Sequence, residues 1–451
     1  MSFVYTIKSM TNNVKILLIL LFCFQLLVGS GFGLAHDEAY YWVFSNHLDW
    51  GYFDHPPAVA LIIKVFSFLP HSELSTRIGF IILQFSSVLI LLKLIPENRK
   101  LESIFLYFAF PLASMVGLFA LPDMPLLFMT AVYFWCLREF LKEENLKNSL
   151  LLGFVIAILL NTKYHGILLI FFTILAMPSM LKKQKFYLTF FVSIILFLPH
   201  ILWQYEHEFA TLKYHFFERP KSSFSVLRVL EYLGTQILFA GLLIGPVVWW
   251  TVIKSKAAST FEKVLKFNAL GIIIFFFISS FSKKIEANWT ILTAIPLIIL
   301  TLKSEIWTRR TVRILMLTSF IIILFARMAL VIELPIKRSM EFHGWKTWSN
   351  HVFSQCNFPL LANNYQLASK LNFYLQKPIH ALNYQSRKNQ FDLWKMDPAY
   401  YQSEKVCYLT NSNQFGGKML LSPEGKELYL VQDRSLKELL ELKSGASLEK
   451  L

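Results

Sequence analysis

The chain alternates long apolar runs with short polar breaks. The runs are rich in Leu, Ile and Phe, and they fall at roughly 14–34, 76–95, 102–121, 124–141, 150–161, 164–181, 186–203, 229–253, 264–282, 288–302 and 312–332. Backbone groups in lipid must pair within their own segment, so such runs are expected to be helices. Eleven transmembrane helices are predicted. The first run follows Lys8 and Lys15. That resembles a secretion signal, but its length suits a retained first span that also directs insertion. After Ile332 the pattern becomes polar. PLLANN, YQLASKLNFYL, PIHALN, KVCYLT and LYLVQD read as strand, helix, strand, strand and strand. The predicted architecture is an all-α polytopic membrane domain over 1–335, with a small α/β domain over 340–451 outside the cytoplasm.

Composition agrees. Of 451 residues, 55% are hydrophobic and 16% charged, against about 25% charged in a soluble protein. The formal charge is +15. A basic balance can mean nucleic acid, but here the cations cluster in short breaks between apolar runs, which is the pattern of membrane orientation. No nucleic-acid partner is expected.

The same rule settles the connectivity of Leu150 to Met180, which is short for two full spans. Read as a hairpin, it leaves sixteen cations in the inside breaks and nine in the outside breaks up to Asn288. Read as one span, it places the last three basic clusters outside, against the orientation rule. The hairpin is therefore expected, with its tip, Asn161 to Gly166, just below the outer surface.

Two outside loops are long, 35–75 and 204–228, and 58–69 is amphipathic enough to lie along the interface. Cys356 and Cys407 both fall in the C-terminal domain. They could pair as a disulfide there or stay as two thiols.

With this topology the isolated polar residues converge on the outer side. Asp37 and Glu38 open the first loop, Asp54 and His55 lie in its middle, and Asp123 stands alone in LPDMPL. Lys163, Tyr164 and His165 cap the hairpin, and Glu286 and Asn288 lie in KKIEANW. Ionisable groups at membrane depth are costly and usually functional. A carboxylate can take the proton from a hydroxyl attacking a sugar's anomeric carbon, and a leaving lipid phosphate needs a cation or a metal. Asp37 is the expected base, with Glu38 and Asp123 as further catalytic acids, and Lys163 the expected phosphate contact. Asp54, His55 and Asp123 could share a divalent metal ion. Taken singly, each residue also has a plainer use. Asp37 and Asp123 could cap helices, Lys163 could snorkel to the interface, and Glu286 could pair with Lys283 or Lys284. A transporter or flippase of lipid-linked saccharide would also carry polar residues at depth, though with broken helices and repeat symmetry.

The blocks DEAYYWVFSNHLDWGYFDHPP, LPDMPLLF, NTKYHGILL and KKIEANW, in that order over residues 30–300, resemble the bacterial branch of the protein mannosyltransferase-like superfamily. FHGW, ANNYQLASKLNFYL and RKNQFDLW resemble the C-terminal region of the same subgroup, which includes lipid A aminoarabinose transferases and lipopolysaccharide-core galacturonosyl transferases. The resemblance implies the GT-C architecture, a catalytic first outside loop, a polyprenyl-phosphate sugar donor, a glycolipid or protein acceptor, and inversion at the anomeric carbon. It matches Asp37 to the loop carboxylate at the catalytic centre, Asp123 to the second acid and Lys163 to a cation near the donor phosphate. Asp54-His55 departs from the glutamate-lysine of the aminoarabinose transferases, and on that departure turn both the metal site and the substrate that the resemblance would carry over.

Overall fold

A computed structural model of the chain describes residues 10–214, 223–403 and 405–443. Lys8, Arg219 and Lys221 fall outside the described residues. Every one of the eleven apolar runs is helical, as internal pairing of the backbone requires. Five helices among the described residues are long and apolar enough to cross a membrane alone: Asn12–Ser30 (α1), Glu73–Leu94 (α4), Asp123–Lys142 (α7), Gln184–Glu206 (α10) and Arg310–Met328 (α15). A bent pair, Glu97–Ala109 (containing α5, Lys100–Ala109) and Pro111–Leu118 (beginning with α6, Pro111–Met115), meets at 86° and is either a sixth, broken span or a re-entrant loop, so the described residues hold five or six candidate spans rather than the eleven expected. Leu146–Thr162 (α8), Tyr164–Ala176 (containing α9, Ile167–Ala176) and Ala287–Leu302 (containing α14, Ala294–Leu302) are apolar but shorter. The run expected at 229–253 divides into α11 (Val226–Phe239) and α12 (Gly245–Lys254), with Gly241 between them at φ +113°. α13 covers Thr260–Ser280. Leu150 to Met180 is a two-helix hairpin, α8 and α9, broken at Lys163. Here the arithmetic of flanking charge led to the observed chain path.

The bend at Phe110 has a local cause. Pro111 starts a new helix with no N–H to give back to the old one. The short helix that follows is held at its far end by Gln84 of α4, which is fully buried and donates to Ala113 O (2.6 Å) and Ser114 O (3.0 Å). Gly117 makes room for it, since a Cβ there would come within 2.3 Å of the Gln84 amide.

The first outside loop folds into α2 (His36–Asn46) and α3 (Ala58–Val65). α3 turns Leu61 and Val65 outward, as its amphipathic pattern predicts. The C-terminal domain is a five-stranded sheet of order β2-β1-β3-β5-β4: β1 (Leu360–Ala362), β2 (His380–Ala381), β3 (Lys405–Thr410), β4 (Lys418–Leu421) and β5 (Glu427–Ser435). β1 runs parallel to β2 and β3, while β5 is antiparallel to β3 and β4. The helices α16 (Trp345–Ser354) and α17 (Tyr365–Leu375) pack with it, and shorter helices cover Pro398–Gln402 and Leu436–Lys443. Sequence pattern predicts β1, α17, β2, β3 and β5. It misses the short edge strand β4, the helix α16 and the helices at Pro398–Gln402 and Leu436–Lys443. Cys356 and Cys407 are unbonded thiols, and that of Cys356 donates to Val352 O at 3.4 Å.

Candidate active site

The site begins with a clamp at the end of α1. Arg77, buried in α4, gives Nε and one Nη2 hydrogen to the two oxygens of Glu38 at 2.8 and 2.7 Å. Its other donors reach Gly29 O (2.9 Å), Phe32 O (2.8 Å) and Gly33 O (2.8 Å). All five guanidinium donors are thus engaged. Glu38 also accepts from the backbone N–H of Ala35 and of Ala120, each at 2.8 Å. The first loop, α4 and the turn before α7 are thereby pinned together. Glu38 is fully buried and has no oxygen left for a substrate. Its expected catalytic role is corrected on that ground, and it is a structural carboxylate.

Asp37, one residue earlier on α2, faces the other way and is exposed. It lines a recess that protein surrounds on most sides. That crowding pushes its pKa up to about 6, and Asp54 and Glu341 add to the rise, while His36 and Arg387 oppose it. Asp54 is held in place. Its Oδ1 accepts from Arg387 Nη1 at 2.7 Å and its Oδ2 from the Tyr40 hydroxyl at 3.0 Å. The Tyr40 hydroxyl in turn accepts from Gln390 N at 2.7 Å, and Gln390 Oε1 accepts from Phe53 N at 2.7 Å. Arg387 is flanked by the rings of Tyr365 and Tyr214, 5.1 and 5.3 Å from its guanidinium carbon.

Asp123, at the first position of α7, is buried, and its charge is met twice. Lys163 donates to Oδ1 at 2.8 Å and Asn288 to Oδ2 at 3.0 Å. The hairpin tip and the turn before α14 therefore meet on this one side chain. Lys163 is itself buried, and its ammonium is paired with Asp123.

Tyr41, from α2, joins the two halves. Its hydroxyl sits within the field of Asp37, Asp54 and Asp123 together, and burial first and those carboxylates next raise its pKa well above the ordinary value.

The remaining expected residues have packing partners. The Tyr164 hydroxyl bonds His200 Nε2 at 2.8 Å and accepts from Gln204 Nε2 at 2.7 Å, while His200 Nδ1 meets Trp50 O at 2.8 Å. This chain ties the hairpin to the first loop. His165 lies between Phe276 and Trp289, and His55 stands against Tyr41. Glu286 is exposed and lies 3.9 Å from Lys284.

Residues 54–203 match the sequence profile of the dolichyl-phosphate-mannose-protein mannosyltransferase family. The structure of ArnT from Cupriavidus metallidurans in the apo state superposes with a TM-score of 0.68 at 12% identity, over 95% of this chain and 98% of that one. The same protein bound to undecaprenyl phosphate superposes with a TM-score of 0.67 at 11% identity, over 94% and 99%. The fold is that of the GT-C glycosyltransferases. A lipid A galacturonosyltransferase, RgtD of Rhizobium johnstonii, is 22% identical over 274 residues, covering 56% of this chain and 57% of that relative. The alignment thus spans less than two thirds of the relative's length. The apolar helices and this GT-C scaffold make the chain a multi-pass membrane protein.

On the GT-C scaffold Asp54, His55 and Asp123 do not form a ligand set. No group of three His, Cys, Asp or Glu among the described residues is arranged to hold a metal. The carboxylates of Asp54 and Asp123 are instead neutralised by Arg387 and by Lys163. Sequence reasoning missed Arg387, Tyr40 and Gln390 as site residues. RKNQFDLW, which contains Arg387 and Gln390, was visible as a family-like phrase, but nothing in it said that it folds back onto the first loop.

Proposed function

We propose that the chain is a glycosyltransferase of the bacterial plasma membrane. It would move a sugar from a polyprenyl-phosphate donor to a hydroxyl or phosphate of a cell-envelope acceptor such as lipid A, a core saccharide or a protein. The carrying observation is Asp37, a solvent-reached carboxylate with its pKa lifted to about 6 beside two carboxylates already neutralised by their own cations. Asp54 and Asp123 are spoken for, so the proton acceptor is Asp37. For a hydroxyl acceptor the O–H proton passes to the Asp37 carboxylate. The acceptor oxygen bonds the anomeric carbon, and the bond from that carbon to the lipid phosphate breaks with its electrons going to the phosphate. Arg387, partly exposed at the rim, offers positive charge to the same recess.

Two relatives support the donor and acceptor classes: ArnT was solved with undecaprenyl phosphate, and RgtD is named for lipid A. The balance of cations across the breaks favours an extracytoplasmic site and C-terminal domain.

The test is Asp37→Asn in the purified full chain, given polyprenyl-phosphate sugar and a lipid A or core-oligosaccharide acceptor, with product read by mass. Turnover should fall about 10²–10⁴-fold while the thermal transition is kept. Unchanged turnover would overturn the reading.

A further inference from the structure

At the end of the helices away from the carboxylates there is a second polar cavity, of about 580 Å³, whose lining includes Trp250, Lys254, Lys256, Glu262 and Lys303. Its distance from the recess follows from chain geometry. Asn288, which holds Asp123, lies in the helical segment Ala287–Leu302, and Lys303 follows its far end. Seven 3₁₀ and nine α residues rise roughly 27 Å, close to the ~30 Å of a bilayer's hydrocarbon core. The cavity therefore sits at the opposite membrane face.

Its walls are pre-shaped. Lys266 caps the end of α12 by donating to Ile253 O (3.0 Å) and Ser255 O (2.5 Å). Glu262 is the carboxylate of the lining, and both its oxygens are occupied, one by Lys303 and one by Ala258 N at 2.8 Å. Lys254 and Lys256 are left exposed with their charge uncancelled by that carboxylate. One side of its rim is apolar. Trp250 and Ile253 are exposed on α12, and Lys254 stands 5.0 Å over the Trp250 ring. An exposed Trp beside cations at a helix end is the arrangement of a headgroup-level belt.

We infer that this cavity takes the headgroup of an anionic phospholipid from the leaflet opposite the carboxylate recess. Lys254 and Lys256 meet the phosphate, and Trp250 and Ile253 meet the start of the acyl chains. The inference is independent of the transferase reading.

The test uses the full chain in phosphatidylcholine nanodiscs with and without phosphatidylglycerol, reading retained lipid by native mass spectrometry and stability by thermal transition. A separate arm uses inorganic phosphate without anionic lipid. Phosphatidylglycerol should be retained in preference and raise the transition. The double change Lys254→Gln with Lys256→Gln should weaken retention about thirtyfold. Lys142→Gln with Lys147→Gln removes the same charge from the same face outside the cavity and should leave retention unchanged. Equal retention of the two lipids, equal loss in both double variants, or equal stabilisation by inorganic phosphate would each overturn the inference.

Discussion

Asp37 and Glu38 are adjacent in sequence and opposite in use. A helix advances about 100° per residue, so one carboxylate of the pair turns into the Arg77 clamp and the other into the recess. Sequence alone marks both as acids beside an apolar run and cannot say which is spent. Asp123 and Lys163 were legible as solitary charges at membrane depth, though not as partners of each other. Arg387 was not legible at all, because 333 positions separate it from Asp54. The charges around Asp37 yield a prediction with a definite sign. With a pKa of about 6, the rate should fall as pH drops through 6 and the base is protonated. Arg387 lowers that pKa and Asp54 raises it. Arg387→Ala should therefore move the acid limb of kcat/KM upward, and Asp54→Asn should move it downward. A pH–rate series on the three proteins checks this, and three coincident limbs would remove Asp37 from the role of base.

At the scale of elements, hydrophobic patterning located the helices but not their breaks. A bend such as that at Phe110 costs little apolar surface, so composition barely registers it. It persists because Pro111 has no N–H to continue the helix before it, while Gln84 inside α4 anchors Ala113 and Ser114 of the next short helix, and one glutamine in an apolar run does not announce which carbonyls it serves. The Arg77–Glu38 clamp works in the same way on the junction of α1, α2, α4 and the turn before α7. It satisfies three carbonyls in the last turn of α1 and just past it while binding a carboxylate from α2. Arg77→Ala leaves Glu38 charged, fully buried and without its cation. Removing one partner of such a pair costs about 3–5 kcal/mol. The expected outcome is a large fall in the detergent thermal transition together with loss of activity. Asp37→Asn should show the loss of activity without the fall, so the two measurements separate the framework carboxylate from the chemical one.

On the scale of the whole molecule, the C-terminal domain is part of the site. Besides Arg387 and Gln390, it reaches the first loop through Tyr374, whose hydroxyl accepts from Leu34 N at 3.1 Å, and through Glu341, which accepts from His36 N at 2.9 Å. His36 also contacts Glu424. At the centre of this contact is Lys370 of α17, fully buried, donating to Leu34 O and, at 2.8 Å, to Glu341 O. Burial pulls its pKa down to about 7, against the smaller opposing pull of Glu341, Glu38 and Glu424. Its folded pKa lies below the unfolded value of 10.5, so between about pH 7 and 10 the unfolded chain binds more protons than the folded one. Stability must then rise with pH across that window and be flat below it. Lys370→Met loses the two hydrogen bonds and the titration together. The thermal transition of the wild type minus that of the variant should therefore rise steadily from pH 7 to pH 10. If the two curves run parallel, the lysine is not held neutral between the domains, and the first loop is docked by its neighbours alone.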